Sequence, residues 1–119
     1  MGGVCLTGVI WAVWHYPAVL FADYHSDAPR CFDLSTLTLA VLGMSLFTAW
    51  LRLRSGSLWP TVLWHGNHNL LIQTVFLSMT TDTGPTEYFV DDFGIGVALS
   101  ALFAGWLFWR KRAELDRPD

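Results

Sequence analysis

Charge is scarce in this sequence. Only 14% of its 119 residues are Asp, Glu, Lys or Arg, against roughly 25% in an ordinary soluble domain. No Lys, Glu or Asp stands in the middle of any of its long apolar stretches. Glutamate is rarer still, with only Glu87 and Glu114. There is no basic stripe, and the formal net charge is -3, so a nucleic-acid partner is excluded. Cysteine is limited to Cys5, in an apolar stretch, and Cys31, in a polar loop. A disulfide needs Cα atoms within about 7 Å, and the topology read below puts these two on opposite sides, so both are expected as free thiols. The chain does not open on a basic segment, and its first apolar stretch holds Trp11, Trp14, His15 and Pro17 at its centre. It is therefore not a secretory signal. Repeats and low-complexity segments are absent.

What is abundant is apolar. Hydrophobic residues make up 53% of the chain, with seven tryptophans and eight phenylalanines, and aromatic side chains gather at membrane interfaces. Four apolar stretches stand out, at about residues 3–22, 34–53, 58–79 and 93–109. About 20 residues of helix cross a hydrocarbon core, and backbone groups in lipid must be satisfied internally. The expected fold is therefore all-α: a multi-pass transmembrane bundle of about four helices, with membrane lipid as its surroundings and the cell membrane as its location. Residues 1–112 form one transmembrane domain and 113–119 a short cytoplasmic tail.

The loops orient this bundle. The segment 23–33 holds three aspartates and only Arg30, and the segment 80–92 holds Asp82, Glu87, Asp91 and Asp92 without Lys or Arg. Arg52 and Arg54 lie between the second and third stretches, and Arg110, Lys111 and Arg112 follow the fourth. Basic loops stay cytoplasmic, so both termini are placed inside and the acidic loops outside. Pro60 suits the first turn of the third helix, whereas Pro17 should kink or end the first. Gly43, Gly66 and Gly105 allow close helix approach.

The unusual residues lie within the apolar stretches. Trp11 and His15 are four apart and share a helix face. The third stretch carries His65-Gly66-Asn67-His68-Asn69, in which His65 and Asn69 share a face, with Thr61 one turn earlier and His68 on its flank. Asn67 points to the far side. The apolar residues of that helix offer roughly 3 to 5 kcal/mol toward insertion, and a single uncompensated buried amide costs on the order of a few kcal/mol. This face must turn toward other helices or a wet cavity. His15, His65 and Asn69 are then either interhelical hydrogen-bond partners or a functional site, the default for ionisable groups in a membrane. His68 reads as a hydrogen-bond partner or cavity lining, and His25 as a solvated loop residue.

At these residues the sequence resembles the CAAX protease and bacteriocin-processing family of intramembrane proteases, also called CPBP or Abi. That family carries Glu-Glu followed after three residues by Arg, then an aromatic residue, three residues and His, then His, three residues and Asn or Asp. Trp11 to His15, followed by Tyr16-Pro17, matches the second motif, with Trp for the usual Phe. His65 to Asn69 matches the third, preceded by the family-like lead-in Arg54-Ser55-Gly56-Ser57-Leu58-Trp59-Pro60. The resemblance covers about residues 3–76. It implies hydrolysis of a peptide bond in a membrane-associated protein or peptide, with His15, His65 and Asn69 as catalytic residues. It fixes no cofactor; a divalent metal such as zinc enters if the family acts as a metalloprotease.

The Glu-Glu motif is absent from the sequence. The resulting expectation is that the chain is the C-terminal part of a longer protease, inactive by itself. The alternatives are a degenerate homologue or non-catalytic membrane subunit, and a bis-histidine haem or metal-binding membrane protein using His15 and His65, with His68 for zinc. The residues leave the substrate and the oligomeric state open.

Overall fold

The computed structural model describes residues 2–115, and among them every regular element is helical. Helix α1 spans Gly2–Phe21 and α2 spans Arg30–Ser55. Helix α3 starts as α-helix at Trp59–Asn69, widens into a π-helical stretch at Leu70–Phe76 and closes with Leu77–Met79. A 3-10 turn at Thr86–Tyr88 lies in the following loop. Helix α4 spans Ile95–Arg110 and runs into a second 3-10 turn, Lys111–Glu114. The four expected helices are present, with α2 beginning four residues before the expected boundary. Residues 116–119 of the expected cytoplasmic tail lie outside the described residues.

Local chemistry explains the breaks. Helix α2 ends at Gly56, whose φ of 65° is left-handed, with Arg52 and Arg54 in its last turn, where cations complement the helix dipole. Ser55 Oγ accepts the Ser57 N–H at 3.2 Å, and Ser57 Oγ accepts the Trp59 N–H at 3.2 Å. Pro60 then sits in the first turn of α3, as expected. The lead-in Arg54 to Pro60 is thus a compact reversal between two helices. Pro17 does not end α1, which continues to Phe21. Proline deletes one backbone N–H, and here that loss falls near the C-terminal end, where Ala22 still donates to the Ala18 carbonyl at 3.1 Å.

Helix α2 is the central element. It packs against α1 through Ala12, Val19, Leu37 and Val41 and against α4 through Ala40, Met44, Ala98 and Ala101. Gly43 brings α2 and α4 together: a Cβ there would fall 2.4 Å from the Ala101 carbonyl. Gly105 is equally committed, its Cβ position lying 2.7 Å from the Gly43 carbonyl oxygen. Gly66, in contrast, faces open space and mediates no helix contact. The basic ends of α2 and α4 meet, with Trp50 Nε1 donating to the Lys111 carbonyl at 3.3 Å and Lys111 Nζ 5.9 Å from the Trp50 ring centroid. This juxtaposition agrees with both lying on one side of the bundle.

Among the described residues, α1 and α2 are long and apolar enough to cross a membrane by themselves. Only 17% of the α1 window is buried, so α1 is not the core helix of a water-soluble domain. Trp14, Phe21, Leu63, Met79 and Phe103 are likewise exposed, a surface suited to lipid. Helix α4 has 16 residues, which at 1.5 Å each reach about 24 Å, short of a core of roughly 30 Å. The polar cluster and π-helical stretch similarly keep α3 from being a uniform apolar span. Cys5 and Cys31 are free and exposed.

Candidate active site

The polar faces of α1 and α3 meet over α2. They line a cavity of about 230 Å³ whose walls include Trp11, His15, Tyr24, His65, His68, Asn69, Gln73 and Asp92. Leu37, Ala40, Val41 and Met44 of α2 complete its lining. Trp11 stands between two histidines, its ring centroid 6.2 Å from that of His15 and 5.5 Å from that of His65. All three expected site residues, His15, His65 and Asn69, therefore share one cavity, and each is half-buried. Helix α3 is tied to α2 by Thr61 Oγ1, which donates to the Thr48 carbonyl at 3.2 Å, and by the edge-on rings of Trp64 and Phe47, 5.1 Å apart.

Hydrogen bonding distinguishes the two nitrogens of each ring. His15 Nδ1 lies 2.8 Å from the Trp11 carbonyl oxygen. A carbonyl only accepts, so Nδ1 carries the proton and Nε2 keeps its lone pair in the neutral ring. Asn69 Nδ2 lies 3.4 Å from His65 Nε2. An amide N–H only donates, so His65 Nε2 accepts and its proton sits on Nδ1. Asn67 is exposed and donates to the carbonyl of Leu63, one turn back, at 2.7 Å. It takes no part in the cavity.

Three lining residues were not legible as site residues: Tyr24, Gln73 and Asp92. The sequence places Asp92 in an outer loop, yet it is buried, at 6% exposure. Tyr24 donates its hydroxyl to Asp92 Oδ2 at 2.9 Å, and Gln73 Nε2 donates to the same oxygen. His68 Nε2 approaches Asp92 Oδ1 to 3.3 Å. Burial pushes the Asp92 carboxyl up, but the adjacent His68 imidazole and the donors Tyr24 and Gln73 outweigh it and hold it below the usual carboxylate range. Tyr24 is pushed far above the usual phenol range by burial and by the charge of Asp92. The signal for Gln73 lies in the backbone. His68 and Gln73 are five residues apart, so a regular α-helix would point them about 140° apart; the wider π turn lets both reach one carboxylate. Short π-helical insertions recur at functional sites.

The other acidic loop also hides a carboxylate. Asp33, expected in the loop, belongs to the first turn of α2 and is fully buried at 0% exposure. It accepts Ser26 Oγ–H at 2.6 Å and Ser26 N–H at 3.1 Å, which fastens the loop leading from Tyr24 into α2. His25, expected as a solvated residue, is half-buried, with Nδ1 2.9 Å from the Ser26 carbonyl oxygen.

Among the described residues, no three His, Cys, Asp or Glu side chains are grouped so as to hold a metal ion.

The family model described as type II CAAX prenyl endopeptidase Rce1-like matches residues 1–71. The chain belongs to this family. The match contains His15, His65 and Asn69 with their aromatic and Ser-Gly-Ser-Leu-Trp-Pro surroundings, and it stops before Gln73 and Asp92. No curated protein and no solved structure matches the chain. Membership in the CAAX endopeptidase family accounts for histidines on helices whose outer faces are apolar, and it agrees with a membrane location.

Proposed function

We propose that the chain forms the histidine-bearing part of an intramembrane endopeptidase, a multi-pass protein of the cell membrane that hydrolyses a peptide bond in a membrane-associated protein or peptide. The observation that carries this reading is the cavity shared by His15, His65 and Asn69, in which the Trp11 carbonyl takes His15 Nδ1 and leaves Nε2 as the acceptor of the neutral ring. Water is the nucleophile. His15 Nε2 takes a proton from it as its oxygen bonds to the scissile carbonyl carbon. The carbonyl π electrons move onto oxygen, and His65 Nδ1–H and an Asn69 N–H stabilise the resulting oxyanion. The oxyanion collapses, the C–N bond breaks, and the leaving amine recovers the proton from His15. The substrate class suggested by the family is a prenylated C-terminal peptide, with bacteriocin-type peptides as the other.

A second reading, a non-catalytic membrane subunit, is favoured by one observation. Among the described residues neither glutamate lines the cavity, Glu87 facing a separate loop hollow. Cleavage of a membrane-anchored, prenylated reporter by membranes carrying the native protein separates the two. Loss of cleavage in His15→Ala and His65→Ala supports the endopeptidase; unchanged cleavage in both refutes it.

A further inference from the structure

Asp92 is the one carboxylate lining the cavity among the described residues. Its two oxygens are treated unequally. Oδ2 receives both Tyr24 and Gln73. Oδ1 is buried and has no hydrogen-bond donor among the described residues, a state that native proteins avoid. His68 Nε2 faces this oxygen at 3.3 Å. The His68 ring is stacked on Trp64, with centroids 5.4 Å apart and planes 22° from parallel, which holds its Nε2 edge toward Asp92.

The backbone around Asp92 is built to hold it there. Asp91 adopts a φ of 71°, a left-handed conformation that few non-glycine residues take, and its Oδ1 accepts the Asp92 N–H at 2.7 Å. A Cβ on Gly94 would fall 2.5 Å from the Phe89 carbonyl, so this turn depends on glycine. Strain of this kind clusters where geometry matters for function.

We propose that Asp92 is a positioning residue of the site: its free oxygen takes the Nε2–H of His68 and so fixes the tautomer in which His68 Nδ1 is the proton-accepting atom. A neutral imidazole has one donor and one acceptor nitrogen, and a carboxylate facing Nε2 selects the proton there. His68 thereby becomes a second oriented imidazole in the cavity beside His15, held by a residue beyond the segment the family model matches. The catalytic consequence rests on the endopeptidase reading; the tautomer does not.

The test is nitrogen NMR of the native chain in lipid nanodiscs, labelled with ¹⁵N-histidine, alongside Asp92→Asn, Asp92→Leu and Asp92→Glu. Circular dichroism and thermal unfolding select the variants that fold. The native protein is expected to show His68 as a single Nε2–H tautomer. Leu, which offers no acceptor, should give a mixture, and Glu should keep the native form. On the prenylated reporter, kcat in Asp92→Asn should fall on the order of 10- to 100-fold, with KM little changed. A native His68 tautomer in the folded Leu variant, or a mixture of tautomers in the native protein, overturns the proposal. An Asp92-dependent tautomer in a native protein that cleaves nothing supports the positioning role and refutes the endopeptidase reading instead.

Discussion

His15 donates its Nδ1–H to the carbonyl of Trp11, 2.8 Å away in the preceding turn, and this bond leaves Nε2 as the basic atom in the cavity. Replacing His15 with Ala should lower cleavage of the prenylated reporter by about 10²- to 10⁴-fold, the usual worth of a general base. His15→Gln should not rescue it, because an amide does not take up a proton. Equal rates for the native and Gln proteins would assign His15 to structure.

Asn69 and His65 are linked at 3.4 Å, and both are proposed to serve a developing oxyanion. Asn69→Ala should lower kcat by about 10²- to 10³-fold. Leaving KM almost unchanged would show that the interaction is made in the transition state. An increase in KM with unchanged kcat would instead make Asn69 a ground-state binding residue.

The Gly43 contact allows a stability test. A Cβ at this position would lie 2.4 Å from backbone atoms of Ala101, which no rotamer change relieves. Gly43→Val should destabilise the bundle by about 3 kcal/mol or more, read as a lower midpoint in detergent-induced unfolding. Gly66→Ala is the control: nothing lies within 4 Å of its Cβ position, and removing a helix glycine should leave stability unchanged or raise it by about 0.5–1 kcal/mol.

Asp33 serves Ser26 through two hydrogen bonds, at 2.6 and 3.1 Å, with its side chain fully buried. Asp33→Ala would leave the Ser26 donors unpaired, at about 1–3 kcal/mol. The accompanying loosening of the 22–29 loop should speed amide exchange at Ser26 and Ala28. Native exchange rates there would mean that the clamp is dispensable.

Tyr24 gives a pH dependence of defined sign. Its folded-state ionisation is raised by burial and by Asp92, whereas the unfolded chain releases the proton near pH 10. The contribution is fully present below that pH and is lost as pH rises beyond it, because only the unfolded state can then ionise. The native protein should lose stability from about pH 10 upward, and Tyr24→Phe should flatten this slope. Asp92 acts at the other end: its carboxyl is lowered despite burial, so its contribution is present above the unfolded value and fades as pH falls below about 4. The neighbouring Asp91, raised mainly by burial, opposes that acid-side loss.

What the sequence could determine was local. Apolar runs of helical length define the rods, and Gly56 with Pro60 marks the reversal between α2 and α3. A four-residue spacing places Trp11 with His15, and His65 with Asn69, on single faces, since helix geometry fixes that relation before any tertiary contact forms. The family motif uses the same spacing, so His15, His65 and Asn69 could be named from it. Pro17 does not end its helix and Gly66 packs against nothing, because a proline's effect depends on which bond it deletes and a glycine's on what packs beside it; neither is a property of the residue alone.

Tertiary structure decided the rest. Tyr24, Gln73 and Asp92 lie on three segments that no periodicity connects, and Tyr24 and Asp92 are 68 residues apart. Both aspartates that the loops bury, Asp33 and Asp92, look from composition like solvated outer charge. Their partners, Ser26 for one and Tyr24 with Gln73 for the other, come from loop paths and a π-helical shift rather than from hydrophobic patterning. A helix face is written in residue spacing, but the group that meets it across a cavity is set by how the chain returns, and that path is decided only when the helices pack.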